Sequence, residues 1–412
     1  MFWGTTVLSW RGPPLDLVYI ANIRLPTEKA HGYQIMKMCE AFARLGLRVA
    51  LYHPRRCQVI PALQRQGPFE YYGLAPLFRV RSLPNLDVVW LERRIPHWLY
   101  RLYTALYFGH AILWGLYAAL VARRCSATLY YTRDTPVAFW LTRLGLPTAY
   151  EAHVIPQGRE RQLLRQVAFR PSLSLVVVLN RFIQKRLIQE GFDPGKIQIL
   201  PDGVDLSLFA SLPGRKEARC RLGIDKGTPL VAYTGHLYQW KGVYTLVRAA
   251  QRMPEVMVLI VGGTPRDAER LGEFIRTENI GNVQMAGHVP PAHVPLYLAA
   301  ASVLVLPNSA EATISRYYTS PLKMFEYMAA ERPIVASDLP SLREVLRNGE
   351  NALLVPPDDP HALAEGVRHL LADPTLAKRL AIQARRDVEA YTWEQRAKRI
   401  WAFICNGATG EQ

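Results

Sequence analysis

Residues 303–346 read VLVLPNSAEATISRYYTSPLKMFEYMAAERPIVASDLPSLREVL, and this stretch restricts the fold more than any other. Val303 to Leu306 is a short apolar, β-branched run, the composition of a buried strand. Past a polar loop, Ser320 as N-cap and Pro321 at the first helical position predict a helix over LKMFEYMA. Arg332-Pro333 closes that helix, and Ile334 to Ala336 reads as the next strand. Strand, helix and strand in this order make a βαβ unit of a parallel sheet. An α/β chain of 412 residues, half of them apolar, has room for two such domains of about 200 residues each.

The start of that helix has a chemistry of its own. Its first N–H groups carry a partial positive charge and suit a phosphate. Glu326 lies one turn beyond Leu322 on nearly the same side, where a carboxylate can accept hydrogen bonds from a pair of ribose hydroxyls. The wording SPLKMFEYMAAERPIVASDLPSLREVL resembles the donor-site segment of family 4 of the retaining, two-Rossmann (GT-B) glycosyltransferases. In that family a pair of glutamates marks the site, and the second holds the ribose of a sugar nucleotide. Glu326 matches the second, whereas the position of the first is Tyr318. The family usually has glycine where this chain has Glu331.

The rest of the chain can be laid out around this segment. Leu17 to Ile20 reads as the first strand, Tyr33 to Leu45 as an amphipathic helix and Leu47 to Tyr52 as the second strand. The loop ANIRLPTEKAHGYQ between them ends in His31-Gly32 at the helix start, where a glycine lets the backbone approach a bound group. It resembles the Pro-Thr-x-Lys-Ala-His-Gly loops of bacterial family members, which face the cleft between the domains. Strands follow at 129–131, 148–150, 173–179 and 197–200, and Asn180-Arg181 opens a helix. The first two of these strands lead into Thr132-Arg133-Asp134 and Glu151-Ala152-His153, at strand ends where open α/β sheets bind ligands. In the second half, Leu230 to Gly235 is a strand, followed by the loop HLYQWKG and a helix from Val243 to Arg252. Met257 to Val261 ends in Gly262-Gly263, and Val283 to Met285 leads to Gly287-His288. Residues 361–405 are helical in pattern. The expected domains are 1–205, Rossmann-like and acceptor-binding, and 206–390, Rossmann-like and sugar-nucleotide-binding. By the resemblance, a helix over 391–412 crosses back to the first.

A sugar nucleotide presents a diphosphate, a ribose, a base and a sugar. Lys241, after the glycine turn, is placed to meet the diphosphate as a point charge. The family has arginine directly after that glycine. Here His236 stands there, a donor charged only in part near neutral pH. The donor group is therefore Gly235, His236, Gly242, Gly263, His288, Tyr318, Thr319, Ser320, Pro321, Leu322 and Glu326. Glu151-Ala152-His153 resembles the motif of the family's cleft histidine, which touches the donor sugar near the bond that breaks. On that resemblance His153, Lys241 and Glu326 are the catalytic set, and Glu151 supports His153. His31, Gly32, Arg133, Asp134 and Glu151 form the acceptor or cleft-loop group. No Asp-x-Asp occurs in the chain, and its five cysteines are scattered with no C-x-x-C. These facts speak against a metal-held diphosphate, a zinc site and a disulfide framework. The resemblance implies transfer with retention and no metal. No cofactor is expected, the nucleotide diphosphate sugar being a substrate.

Charge adds an expectation about partners. Residues 1–200 hold 26 Lys and Arg against 11 Asp and Glu, a balance of +15, while 201–412 hold 24 against 23. Such asymmetry suits an anionic surface for the first half alone. From Leu102 to Ala122 there is no charged residue across 21 positions, with Arg101 before and Arg123-Arg124 after. The length meets the rule for a membrane span, but a span would split the predicted sheet. A buried or membrane-lying helix is expected instead. With Arg93-Arg94, these features point to a glycan or lipid-linked acceptor met on an anionic membrane. The opening MFWGTTVLSWRG lacks the pattern of a signal peptide. The expected location is cytoplasmic, peripheral on the inner face of the membrane, in cell-surface polysaccharide or glycolipid synthesis. The rivals are another GT-B enzyme, a nucleotide-sugar epimerase or sugar phosphorylase, which the fold alone admits, and a non-enzymatic polyanion binder. Nucleic acid is disfavoured, because such a binder has no need of the motif from Gly235 to Glu326.

Overall fold

The computed structural model describes residues 14–58, 60, 63–89, 95–225 and 227–409; Arg93-Arg94 and the opening dodecapeptide lie outside them. The chain divides into two compact units, Met1–Leu200 with Ala397–Gln412, and Pro201–Arg396.

The first unit is built on strands β1 (Leu17–Ile20), β2 (Val49–Pro54), β3 (Arg79–Leu83), β4 (Leu129–Thr132), β5 (Thr148–Ala152), β6 (Leu173–Val178) and β7 (Ile197–Ile199). They form one parallel sheet in the order β3-β2-β1-β4-β5-β6-β7, with Leu17 facing Val49 on one side and Leu129 on the other. Strands such as LVYI and LVVV are buried on both faces, as parallel strands between helical layers must be. Its helices are α1 (Ala30–Arg44), α2 (Pro68–Tyr72), α3 (Tyr100–Arg123), α4 (Thr135–Arg143), α5 (Gly158–Ala168) and α6 (Arg181–Gln189). Asn180 caps α6 as expected, its side chain accepting from the Ile183 N–H at 3.0 Å.

The second unit opens with helix α7 (Arg215–Leu222) and repeats the plan. Strands β8 (Leu230–Thr234), β9 (Met257–Val261), β10 (Val283–Gly287), β11 (Val303–Leu306), β12 (Ile334–Ser337) and β13 (Leu353–Val355) form a parallel sheet in the order β10-β9-β8-β11-β12-β13. The helices are α8 (Val243–Arg252), α9 (Pro265–Thr277), α10 (Val294–Ala300), α11 (Leu322–Ala329), α12 (Pro360–Ala372) and α13 (Pro374–Asp387), and α14 (Trp393–Thr409) ends the chain. Within each unit the strand order reverses once, between β1 and β4 and between β8 and β11. Loops leaving neighbouring strands diverge there and open a crevice, the usual ligand site of open α/β sheets.

Several expectations shift. Helix α1 starts at Ala30, so His31 and Gly32 lie inside its first turn. Glu151 is on β5 and not beyond it. Ser320 is not the cap of α11: Pro321 holds that position with ψ of 126°, and no side chain caps the helix. An extended ψ at the proline delays the helix by one residue. Strands β3 and β13 escape a sequence reading because RVRSL is a charged edge strand and LLV is three residues long.

The uncharged stretch forms most of α3, a 24-residue helix whose C-terminal half packs into the core of the domain. Trp114, Ala118, Ala119, Val121 and Ala122 pack with Val18, Ile20, Ala50 and Tyr130. The Trp140 indole donates to the Ile112 carbonyl at 2.9 Å, tying α4 to α3. The opposite side leaves Leu102, Leu106, Leu113 and Leu120 exposed by 57, 61, 68 and 44%.

Two residues past the end of α11, Glu331 takes φ of +53°, the left-handed conformation that costs a side-chain-bearing residue about 1 kcal/mol. Glu331→Gly should therefore stabilise the protein by about 0.5–1 kcal/mol, measured as a raised denaturation midpoint with unchanged slope. A lower midpoint would show that the carboxylate contributes more than the backbone strain removes.

Candidate functional site

In the second unit, buried strand β8 delivers the chain to Gly235, and the loop back to α8 carries His236, Tyr238, Trp240 and Lys241. This loop is held against the exit of β11. Gly242 has φ of +73°, and a methyl group on it would sit 1.6 Å from the Pro307 carbonyl oxygen, so only glycine allows the two backbones to meet. The Ser309 N–H donates to the Trp240 carbonyl at 3.0 Å. Next to it, the Thr234 N–H at the end of β8 donates to the Tyr327 hydroxyl of α11 at 2.7 Å. The two loops flanking the strand reversal are thereby fixed to each other.

Lys241 stands over the Trp240 ring, its Nζ 4.0 Å from the centroid, and burial pulls its pKa down to about 8. Burial pushes the Glu326 carboxyl up to about 7, against the opposing pull of Lys323. Lysine and carboxylate both lie near the point of changing charge, which is common where groups work on a ligand. His236 stacks on Tyr238 at 5.0 Å and 11°, and its backbone carbonyl accepts the Tyr233 hydroxyl at 2.6 Å. Thr319, Ser320 and Pro321 are buried at the start of α11, Leu322 and Tyr318 half-buried, and Tyr318 closes a π-turn over Ile314–Tyr318. Gly263 and His288 follow β9 and β10 at the same edge of the sheet. His288 is exposed and two strands away from β8, so it stands apart from the Gly235–Lys241–Glu326 group. Sequence reasoning missed Lys323, which is buried among these residues. Its position in SPLK, three residues before Glu326 and so on the same face, was the available signal.

In the first unit a second polar group forms at the ends of β4 and β5. Glu151 is 1% exposed and accepts three hydrogen bonds. The Tyr131 hydroxyl donates at 2.6 Å, the Gln34 amide at 2.8 Å and His153 Nε2 at 2.6 Å. Arg133 donates to the Gln34 amide oxygen at 2.6 Å, extending the chain. A buried carboxylate so satisfied is fixed in place, and it sets the His153 ring with the proton on Nε2. Asp134 accepts from the Asn22 N–H at 2.8 Å, linking the loops after β1 and β4, and burial raises its pKa. The His31 imidazole is driven down to about 3 by burial, then by Arg133 and Lys29, so it is neutral at physiological pH.

Gly32 has a different reason from the one expected. A methyl group there would fall 2.2 Å from the Tyr72 hydroxyl and 2.4 Å from Thr27 Cγ2. Tyr72 occupies the space itself, accepting from the Thr27 N–H at 2.9 Å and donating to the Thr27 carbonyl at 2.8 Å. The glycine admits a tyrosine of the protein, not a ligand. Gly32→Ala should cost about 1–3 kcal/mol through overpacking, read from denaturant unfolding; a variant as stable as wild type would return the position to ligand approach.

Comparison with known proteins agrees with this geometry. Residues 228–373 match the family described as Glycosyl transferases group 1. A D-inositol 3-phosphate glycosyltransferase of Kineococcus radiotolerans is 27% identical over 290 residues, covering 62% of this chain and 65% of that protein. An alpha-maltose-1-phosphate synthase of Mycolicibacterium smegmatis is 31% identical over 217 residues, covering 49% of this chain and 54% of its own length. The chain thus spans less than two thirds of these curated relatives. Among solved structures, Anabaena HepE in complex with UDP and glucose superposes with a TM-score of 0.70 at 17% identity, covering 95% of this chain and 99% of that one. At that identity the likeness establishes the shared two-Rossmann, GT-B fold.

Proposed function

We propose, starting from the GT-B fold of this chain and the group 1 glycosyl transferase domain at residues 228–373, that it moves a sugar from a nucleotide diphosphate sugar to a glycan or lipid-linked acceptor. The observation that carries this reading is the crevice at the β8/β11 reversal. Lys241, the uncapped start of α11 and Glu326 supply there a cation, oriented N–H donors and a carboxylate, the complement of a diphosphate and a ribose. HepE is also described in complex with UDP-glucose, a donor of the class these groups suit.

In this mechanism Lys241 and the N–H groups of α11 take up the charge that develops on the departing diphosphate. Glu326 anchors the ribose; for His153, set by Glu151, contact with the sugar is what the resemblance to family 4 implies. The reaction needs no nucleophile from the protein and no metal, consistent with the lack of an Asp-x-Asp pair. Retention at the anomeric carbon follows from the resemblance to family 4. Lys241→Ala and Glu326→Ala should each lower turnover by about 10²-fold or more in a folded protein. Because Lys241 binds phosphate as a cation and titrates at about 8, affinity for the donor should fall as pH rises from 7 to 9. Transfer near the wild-type rate in either variant, or affinity that is flat across this range, would remove the lysine and glutamate from the site.

The first half carries the acceptor side of the proposal. Its balance of +15, the exposed leucines of α3 and the exposed Arg101, Arg123 and Arg124 at the ends of that helix suit the inner face of an anionic membrane. Each basic residue near such a leaflet adds about 1 kcal/mol of attraction. On this reading the enzyme acts in the synthesis of a surface polysaccharide or glycolipid. In flotation, the protein should rise with anionic liposomes at low salt and be released by high salt. Remaining unbound, or binding neutral and anionic vesicles alike, would defeat electrostatic docking.

A further inference from the structure

The geometry points to Lys323 as a second cation for the diphosphate of the donor, reaching the crevice from α11 while Lys241 reaches it from the loop after β8. This rests on the donor-site reading given above and adds to it a residue that was not among the expected site residues.

Lys323 is 7% exposed. Its Nζ lies 3.6 Å from the centroid of the Tyr233 ring, and a methyl group on Gly235 would come within 3.8 Å of both Nζ and Cδ. The ammonium is therefore aimed at the glycine that ends β8, the floor of the crevice. Among the described residues it has no hydrogen-bond acceptor. A ring face offers a cation about 2 kcal/mol when desolvated, well short of what burying an ammonium costs. Burial, and then the neighbouring Lys241, accordingly push the lysine well below its ordinary pKa, with Glu326 pulling the other way.

Its surroundings repeat the pattern. Ser320 Oγ is buried without a partner among the described residues, as are both polar atoms of the Asn308 side chain. Asn308 adjoins the point where Gly242 meets Pro307. The start of α11 has no side-chain cap. An ammonium, a hydroxyl, an amide and the uncapped start of a helix thus lie on the segments that follow β11, a set rich in donors, and among the described residues Glu326 is the carboxylate that acts on Lys323. A polyanion with several oxygens satisfies such a set, and two lysines provide the charge at a site where His236 replaces the expected arginine. A lysine kept only to pack its stem on Tyr233 would be improved by a neutral side chain of the same length.

Lys323→Met makes that comparison, and Lys323→Gln serves as a second variant should the first fold poorly. UDP, GDP and ADP, each beside its nucleoside, are titrated calorimetrically into the full chain in two buffers of different ionisation enthalpy. The expected result is a nucleoside diphosphate affinity lowered by about 10–100-fold with nucleoside affinity unchanged. Proton uptake on binding should also be smaller than in the wild type, and the unfolding midpoint no lower. Wild-type affinity and proton uptake in a folded variant would overturn the role of Lys323 while leaving the donor site standing. Failure of the wild-type protein to bind any of the three diphosphates would overturn both.

Discussion

Parallel sheets buried under helices on both faces leave a strand few places to present a polar side chain. Along its length, any charge would lie in hydrocarbon, where it costs several kcal/mol unless paired. At its carboxyl end the chain leaves the sheet and polar groups become affordable. Both units obey this constraint. Asp134, Glu151 and His153 follow or end β4 and β5, while Gly235, Lys241 and the segment from Asn308 to Glu326 follow β8 and β11. The position of the chemistry is therefore a consequence of the sheet.

The two polar groups solve burial in opposite ways. Glu151 is saturated by a tyrosine, a glutamine and a histidine, so its carboxylate and the His153 ring are fixed to each other. Lys323 is buried and Lys241 and Glu326 are half-buried, their charges incompletely compensated, and each has a pKa displaced toward neutrality. A satisfied network rigidifies, whereas an unsatisfied one is poised to gain from a charged ligand. The rigid cradle around the second group comes from backbone approach at Gly242 and from the Tyr327 hydroxyl on Thr234. The donors stay in place because the loops that bear them cannot separate.

Helix α3 shows how one composition can serve two surroundings. Its small residues, Gly115, Ala118, Ala119 and Ala122, allow close packing on the sheet and on α4, where Gly115 meets the Pro136 carbonyl at a distance a methyl group would narrow to 3.1 Å. Its leucines fall on the other side and face outward. A stretch without charges satisfies a length rule for a membrane span while folding as a domain helix, because the rule counts residues and not faces.

The sequence by itself determined the class of the fold, since β-branched runs alternating with helical stretches leave few arrangements other than parallel sheets. It also located β8, β9, β11 and α8 closely, where apolar runs end in glycine or proline and the boundary is a local matter. Together with the resemblance to family 4, it singled out Lys241, Glu326 and Glu151. Tertiary structure alone decided the rest. The edge strand RVRSL has no apolar pattern and exists because β2 offers it hydrogen bonds. Gly32 answers to Tyr72, 40 positions on, and Gly242 answers to Pro307, contacts that no local signal encodes. Lys323 was not among the expected site residues, and its place against Tyr233 and Gly235 comes from the packing of α11. Burial is a property of what packs around a residue, and that is settled only when distant segments meet.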